Sequence, residues 1–297
     1  MRLNDAFNAF LRQKQLQNCT DKTIKNYKNV LTPFLAFFVT NCDVTALTLE
    51  VVEDYILIFR SRRLAPATIA SYIRHIKAFL FFLQKKYGLS FSPSEIKVPK
   101  APTGAYYIYN SEEIALIFQR AVLSEKWLTV RNQAVITLML DSGLRQGEVC
   151  GLLWEWVDFE KKRIKVYGKG RKERIVPLGR MSAHFLQEYR RLCPFLDTTY
   201  VFSERRGGQL TNNTVKQFIQ KLKKKLPFPF YSHLLRHNFA TNWCLDQYEI
   251  KGQIDIYALK AILGHEDIKT TSRYLHYAES LLAVQHSISH LDRVFSF

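Results

Sequence analysis

The sequence predicts a mainly α-helical chain of two domains, with one small β-hairpin or sheet in the second, an α+β domain. Three features carry that expectation. The chain has 297 residues, against roughly 100–200 per domain. Apolar residues recur at helical spacing through residues 5–87 and again beyond residue 177, whereas a period of two occurs once, around residues 163–176. Between the helical regions, residues 89–105 (LSFSPSEIKVPKAPTGA) hold three prolines and a glycine with no periodicity, as an interdomain linker would.

The first domain is expected over 1–88 as a helical bundle. Asp5 or Asn4 can cap a first helix carrying Phe7, Phe10 and Leu11, and Thr20-Asp21 opens a second with Ile24, Tyr27, Val30 and Leu31. Thr48 can cap a third with Val52, Tyr55 and Phe59 on one side. Pro66 suits the first turn of a fourth, which runs through Ile69, Ile73, Ile76, Phe79, Leu80 and Leu83 to Gly88 as its stop. The many aromatic residues here read as core. The second domain, 106–297, opens with a helix at Ser111-Glu112-Glu113, followed by an apolar stretch from Trp127 to Leu140. Arg163 to Tyr167 alternates, Gly168-Lys169-Gly170 turns, and Arg174 to Pro177 returns, which is a hairpin ended by proline. Helices resume around 181–192, 212–225, 232–245 and 255–263, with a last group to the terminus.

Apolar residues make up 47% and charged residues 23% of the chain, which excludes wholesale disorder and a fibrous repeat. Lys and Arg number 43 against 26 Asp and Glu, a net charge of +17, divided as +8 in residues 1–100 and +9 in the rest. So much positive charge in both parts implies an acidic partner and suits a two-domain clamp around a polyanion; a generally basic surface is the bland alternative. Five cysteines without a CxxC pair read as reduced thiols rather than a zinc site. No apolar run approaches the ~18–20 residues that span a bilayer, so a cytoplasmic, reducing location without membrane partners is expected.

Four stretches could carry chemistry. KKRIKVYGKGRKER at 161–174 has eight basic side chains against Glu173, and on a hairpin Lys165, Lys169 and Lys172 can project together toward a phosphate backbone; a solvated hairpin explains the charge equally well. In Ser232-His233-Leu234-Leu235-Arg236-His237, His233 and Arg236 lie three apart and share a helix face that suits a phosphate. His233 and His237 also have zinc-helix spacing, but that pattern needs Glu at 234, where Leu stands. Leu263-Gly264-His265-Glu266-Asp267 precedes Thr270-Thr271-Ser272-Arg273-Tyr274, which alone fits a helix cap and a packed aromatic. In Asp141-Ser142-Gly143-Leu144-Arg145-Gln146-Gly147-Glu148, glycines bracket an arginine that Glu148 is close enough to orient.

In order and joint spacing these stretches resemble the boxes of the tyrosine recombinase (phage integrase) family, especially its compact Xer-like members. SGLRQGEVCGLLWEWVDF is similar to the first arginine box, VYGKGRKERIVPLG to the lysine hairpin, SHLLRHNFAT to the HxxR box and LGHEDIKTTSRYLH to the closing histidine and tyrosine box. The resemblance covers residues 141–277; residues 1–88 resemble the family's N-terminal helical core-binding (SAM-like) DNA-binding domain only in length, helix content and basicity. Gln146-Gly147 departs from the usual apolar-then-small pair after the arginine.

The resemblance implies an enzyme that cuts and rejoins DNA through a 3′-phosphotyrosyl intermediate and exchanges strands via a Holliday junction, in integration or excision of mobile DNA or in resolution of dimers. It makes Arg145, Lys169, His233, Arg236 and His265 the activating residues and Tyr274 the nucleophile, nine residues beyond His265, with Tyr277 a structural neighbour. Lys165, Arg171, Lys172 and Arg174 of the hairpin are the expected DNA contacts. Two arginines in place of a metal imply no metal or ATP requirement. Four protomers on double-stranded DNA sites follow from strand exchange, with room for accessory or partner recombinase proteins. Leu281, Leu282, Val284, Ile288, Leu291, Val294 and Phe295 give the tail an apolar stripe suited to packing on a neighbouring protomer or on its own domain. A type IB topoisomerase uses similar residues, and a non-catalytic DNA-binding regulator would share the scaffold.

Overall fold

The computed structural model describes residues 1–38, 42–100, 106–168, 172–195 and 198–285, with 287, 291 and 294. The chain divides into two compact units, Met1–Gly104 and Ala105–Phe297.

Among its described residues the first unit has four α-helices, α1 (Leu3–Leu16), α2 (Asp21–Ala36), α3 (Leu49–Ser61) and α4 (Pro66–Tyr87), with short 3-10 turns at Val44–Ala46 and Pro93–Glu95. The Thr20 and Thr48 hydroxyls cap α2 and α3 by accepting from the amides of Thr23 and Val51, and Gly88 ends α4 at φ +74°, where a glycine avoids the Cβ penalty. Helix α1 begins ahead of the expected Asn4 or Asp5 cap. Main-chain pairing sets its start: Arg2 bridges Asp43, Leu3 N donates to the Cys42 carbonyl at 3.0 Å, and the terminal ammonium meets the Asp43 carboxylate at 2.6 Å. Most of the aromatic residues are core, as the periodicity implies, whereas Phe37 and Phe81 are exposed. Phe10 meets Tyr27 and Phe79 edge to face at 5.0 and 5.4 Å, above Leu31, Phe34 and Leu80.

Much of the expected linker belongs to this unit. Phe91 and Ile96 are buried in the same core, Leu89 and Val98 pack against it, and Lys77 Nζ donates to the Ile96 carbonyl at 2.7 Å. Prolines stop the helix there without preventing apolar side chains from docking. Residues 101–105 lie outside the described residues.

The second unit is mostly helical: α5 (Ser111–Arg120), α6 (Lys126–Asp141), α7 (Gln146–Cys150), α8 (Arg180–Leu192), α9 (Asn212–Lys223), α10 (Ser232–Lys251), α11 (Ile256–Leu263) and α12 (Ile268–Gln285). A three-stranded antiparallel sheet of β1 (Val157–Asp158), β2 (Arg163–Tyr167) and β3 (Glu173–Pro177) interrupts them in the order β1-β2-β3. The hairpin has the expected strands, paired Ile164 to Val176 and Lys165 to Ile175; β1, only two residues long, has no period to announce it. Helices α6 and α10 are buried along much of their length, α6 packing on α8 and α10, and α10 on α11 and α12. Functional side chains on α10 are therefore fixed from several sides. No helix among the described residues is long and apolar enough to cross a membrane.

Leu31 is fully buried between α1, α2 and α4, so Leu31→Ala should destabilise the first unit by about 2–5 kcal/mol. Chemical denaturation of both proteins, followed by tryptophan-independent far-UV circular dichroism, measures the difference.

Candidate active site

The site is built around a buried carboxylate. Arg145 stands at the N-terminal cap of α7, and Glu148 one turn later folds back onto it, accepting from the Arg145 amide at 2.8 Å and from its Nη1 at 2.9 Å. The same carboxylate accepts from Arg174 of β3, Nη1 to Oε1 at 2.8 Å and Nη2 to Oε2 at 2.7 Å. Burial works to raise the Glu148 pKa, but the hydrogen bonds and charge of Arg174, then Arg145, outweigh it and hold the carboxyl below its ordinary value. Arg145 Nη2 also donates to the Gly264 carbonyl at 3.2 Å. Arg145 is thus aimed from two directions while 37% of its side chain stays exposed.

Arg174, expected from the sequence as a DNA contact, is only 9% exposed here, doubly bonded to Glu148, with Nε donating to the Ile262 carbonyl at 2.7 Å, so it braces the site. Lys165 is paired to Glu173 at 2.9 Å across the hairpin and lies over the Tyr167 ring. Lys172 is exposed and lines, with Arg145, Lys260 and His265, a cleft of 1190 Å³ between the hairpin, α11 and the start of α12. Lys169 and Arg171 lie outside the described residues.

Helix α10 supplies three more groups. Arg236 is 1% exposed, and its two Nη atoms donate to the Gly143 and Leu263 carbonyls. Gly143 makes this possible: its φ is +64°, and a Cβ there would collide with the Phe239 ring. Arg236 Nε is buried without a partner among the described residues, an unspent donor of the kind an anion satisfies. Burial, then the neighbouring Arg145 charge, lowers the Arg236 pKa to about 9. His233 sits at the solvent edge, where the surrounding protein and then Arg236 and Arg145 hold its pKa below the ordinary value.

The remaining groups lie on α12 and the turn before it. His265 follows Gly264, the left-handed cap of α11; its Nδ1 pairs with the Thr271 hydroxyl at 2.9 Å and its Nε2 meets Arg236 Nη2 at 3.3 Å. Burial, then the Arg236 charge, takes His265 down to about 4. Tyr274 is 2% exposed among Phe239, Cys244, Leu259 and Leu263, and burial pushes its phenol up to about 12. Its oxygen lies 2.6 Å from His237 Nδ1. His237, which the sequence offered only as half of an incomplete zinc helix, is thus the imidazole bonded to the tyrosine, while His233 packs edge-on against His237 at 4.3 Å. Burial, then repulsion from His233 and the nearby arginines, brings His237 down to about 3, so the ring bonded to the tyrosine is neutral at pH 7. Tyr106 stacks on the other face of His237 at 3.9 Å. No spacing rule ties Tyr106 or His237 to position 274; the only sequence signal is the aromatic run Tyr106-Tyr107-Ile108-Tyr109 at the head of the unit.

Arg145, His233, Arg236, His265 and Tyr274 therefore gather from three separate stretches of sequence into one cation-rich cluster. The Phage integrase family model matches residues 110–280, which spans all five. The chain belongs to the phage integrase family. It is 28% identical over 298 residues to the tyrosine recombinase XerC of Syntrophus aciditrophicus (strain SB), covering 92% of this chain and 93% of that one. Among solved structures it resembles the XerA recombinase, with 25% identity, a TM-score of 0.52 and coverage of 97% and 99% of the two chains. It shares its fold with the Tn1549 transposon integrase solved with a circular intermediate DNA, at a TM-score of 0.73, 18% identity and coverage of 93% and 98%. This integrase-family chain has the family's helical catalytic unit with a small sheet.

Two measurements follow. Glu148→Gln leaves the buried Arg174 without its counter-charge, which should lower stability by about 3–5 kcal/mol; a smaller change in denaturant midpoint would mean that the carboxylate is not the brace described. His237 and His265 are held neutral in the folded state at about 3 and about 4, against 6.5 when unfolded. Below pH 6.5 the unfolded chain binds more protons, so stability present at neutral pH falls progressively as the pH drops toward these folded values. The thermal midpoint should decline over that window, less steeply in His237→Gln.

Proposed function

We propose that this chain is a site-specific DNA recombinase that cleaves one strand of double-stranded DNA with Tyr274 and rejoins it to another strand. The observation that carries the reading is the meeting of two guanidinium groups, one of them buried with an unspent Nε, beside the only deeply buried phenol bonded to an imidazole among the described residues.

A phosphodiester resists attack because its charge repels nucleophiles and its alkoxide leaves poorly. Arg145 and Arg236 neutralise the nonbridging oxygens with planar donors that are charged at neutral pH, and His265 adds a hydrogen bond. Loss of one such preorganised donor typically costs about 3–4 kcal/mol of barrier. Once the phenol has moved to the phosphate, its proton passes to His233, kept neutral at pH 7 by its surroundings. The Tyr274 oxygen then bonds to phosphorus, the bond to the 5′ oxygen breaks, and Lys169 protonates that oxygen, an assignment that rests on its place in the lysine hairpin box. The 3′-phosphotyrosyl product conserves the energy of the broken bond, so the 5′ hydroxyl of a second strand can reverse the chemistry without ATP. Every charge that develops is met by a side chain of this chain, so no metal is invoked in any step.

Exchange between two duplexes takes four protomers and a Holliday junction. The apolar tail supports a tail exchanged between protomers: Val284, Leu291 and Val294 are exposed, whereas Leu282 packs within its own unit; Ile288 and Phe295 lie outside the described residues.

Incubated with a nicked suicide duplex carrying its site, the wild-type protein should form a covalent adduct, and Tyr274→Phe should not. Arg145→Ala and Arg236→Ala should bind the duplex in a gel shift yet cleave it at least ~100-fold more slowly. Adduct from Tyr274→Phe but not Tyr277→Phe would overturn the nucleophile assignment. Relaxation of plasmid at random sequences without joining of two duplexes would favour a topoisomerase instead.

A further inference from the structure

The phenol that must reach DNA is the group most firmly put away. Tyr274 is bonded to His237 Nδ1 at 2.6 Å, and Tyr106 lies over both rings, 3.9 Å from His237 and 5.8 Å from Tyr274 between centroids. Tyr106 is itself tied to the helix that carries the nucleophile, on either side of it. Its carbonyl accepts from the Tyr277 hydroxyl and its phenolic oxygen accepts from Arg273 Nη1, both at 2.9 Å. The residues that follow are fastened to α10: Asn238 Nδ2 donates to the Tyr107 carbonyl at 2.9 Å, Asn238 Oδ1 accepts from the Tyr109 amide at 2.8 Å, and the Tyr109 hydroxyl donates to the Pro229 carbonyl. Asn238 is 1% exposed, so residues 106–109 form a strap laid across α10 and α12 with its polar groups matched to theirs.

We propose that Tyr106 and His237 are positioning residues that latch Tyr274 in a retracted, protonated place, and that the nucleophile is released when residues 106–109 withdraw from α12 on DNA engagement. The inference rests on Tyr274 being the nucleophile. Three features make the assembly a latch rather than ordinary packing. The strap holds the flanks of Tyr274, at 273 and 277, so lifting it frees the turn of helix that the tyrosine occupies. The Tyr274 oxygen is engaged by His237 Nδ1 in a buried pocket that holds the phenol protonated, so it carries no negative charge with which to attack. The strap also follows directly in sequence on the segment that joins the two units. The charged and titratable groups facing this pocket are Tyr106, His233, Arg236, His237, His265, Arg273 and Arg145, and the three arginines are cations at neutral pH. Withdrawal of the strap therefore exposes the phenol to a field that favours its ionised form.

Nitration by tetranitromethane tests the latch without DNA, because the reagent attacks accessible, ionisable phenols, and mass spectrometry of peptides assigns the rate at each tyrosine. In the full-length wild-type protein Tyr274 should react far more slowly than Tyr257, which is 72% exposed. Tyr106→Ala should raise the Tyr274 rate about tenfold, equivalent to ~1.4 kcal/mol of latching free energy, and leave Tyr257 unchanged. Tyr106→Phe, which removes only the Arg273 tie and keeps the stacked ring, should give a smaller rise and serves if the alanine variant fails to fold. On the suicide duplex both variants should form adduct faster than wild type at saturating DNA. Unchanged Tyr274 nitration in both variants, or nitration of wild-type Tyr274 as fast as Tyr257, overturns the latch. Faster nitration with unaltered adduct rate overturns its control of cleavage. Absence of adduct from the wild type on the suicide duplex contradicts the proposed cleavage activity instead, which the nitration rates do not depend on.

Discussion

One buried carboxylate organises the second unit's chemistry. Glu148 accepts from both Arg145 and Arg174, and Arg174 reaches on to the Ile262 carbonyl, so α7, β3 and the end of α11 are joined through a single side chain. Without that charge two guanidinium groups would face each other in a half-dry setting, where repulsion is weakly screened. With it, Arg174 is neutralised and spent, while Arg145 keeps part of its surface open. Among the described residues Arg236 makes no ion pair with a carboxylate and is anchored instead on the Gly143 and Leu263 carbonyls. The result is a region with more cations than anions, and that surplus helps keep three nearby imidazoles neutral.

What the sequence made legible and what it hid divide along a physical line. Caps, periodicity and turns are local, so the helices opened by Thr20 and Thr48, the stop at Gly88 and the hairpin could be read directly, and the boxes singled out Arg145, Arg236, His265 and Tyr274, which the fold brings into one cluster. Burial set by distant partners could not be read. Arg174 looks like any other cation in a basic hairpin; its fate is decided by a carboxylate 26 residues earlier. His237 shares the face of His233 at one helical turn, yet its partner stands 37 residues away on α12. The prolines of 89–105 signal an irregular path but not whether that path hugs a core, and Phe91 and Ile96 show that it does.

The two histidines of α10 also illustrate how one helix can serve two environments. His233 opens to solvent while His237, one turn on, is enclosed by Tyr106 and Tyr274. Identical side chains a single turn apart thereby differ in accessibility, in the partner they bond and in the depth of their pKa depression, and the difference comes from what packs on the helix rather than from the helix itself.

The lodging of Tyr274 among Phe239, Ala240, Cys244, Leu259, Leu263 and Ala278 has an energetic corollary. A ring that leaves such a nest uncovers apolar walls and opens a void, and unfilled voids disfavour a conformation in proportion to their volume. On the latch proposed above, the competent conformer is a minority population, and any duplex that captures it binds with an observed affinity reduced by that population. The strength of the contacts made to DNA is accordingly greater than the dissociation constant of the whole protein would suggest, and the hidden part of it is stored as the tendency of an aromatic side chain to return home.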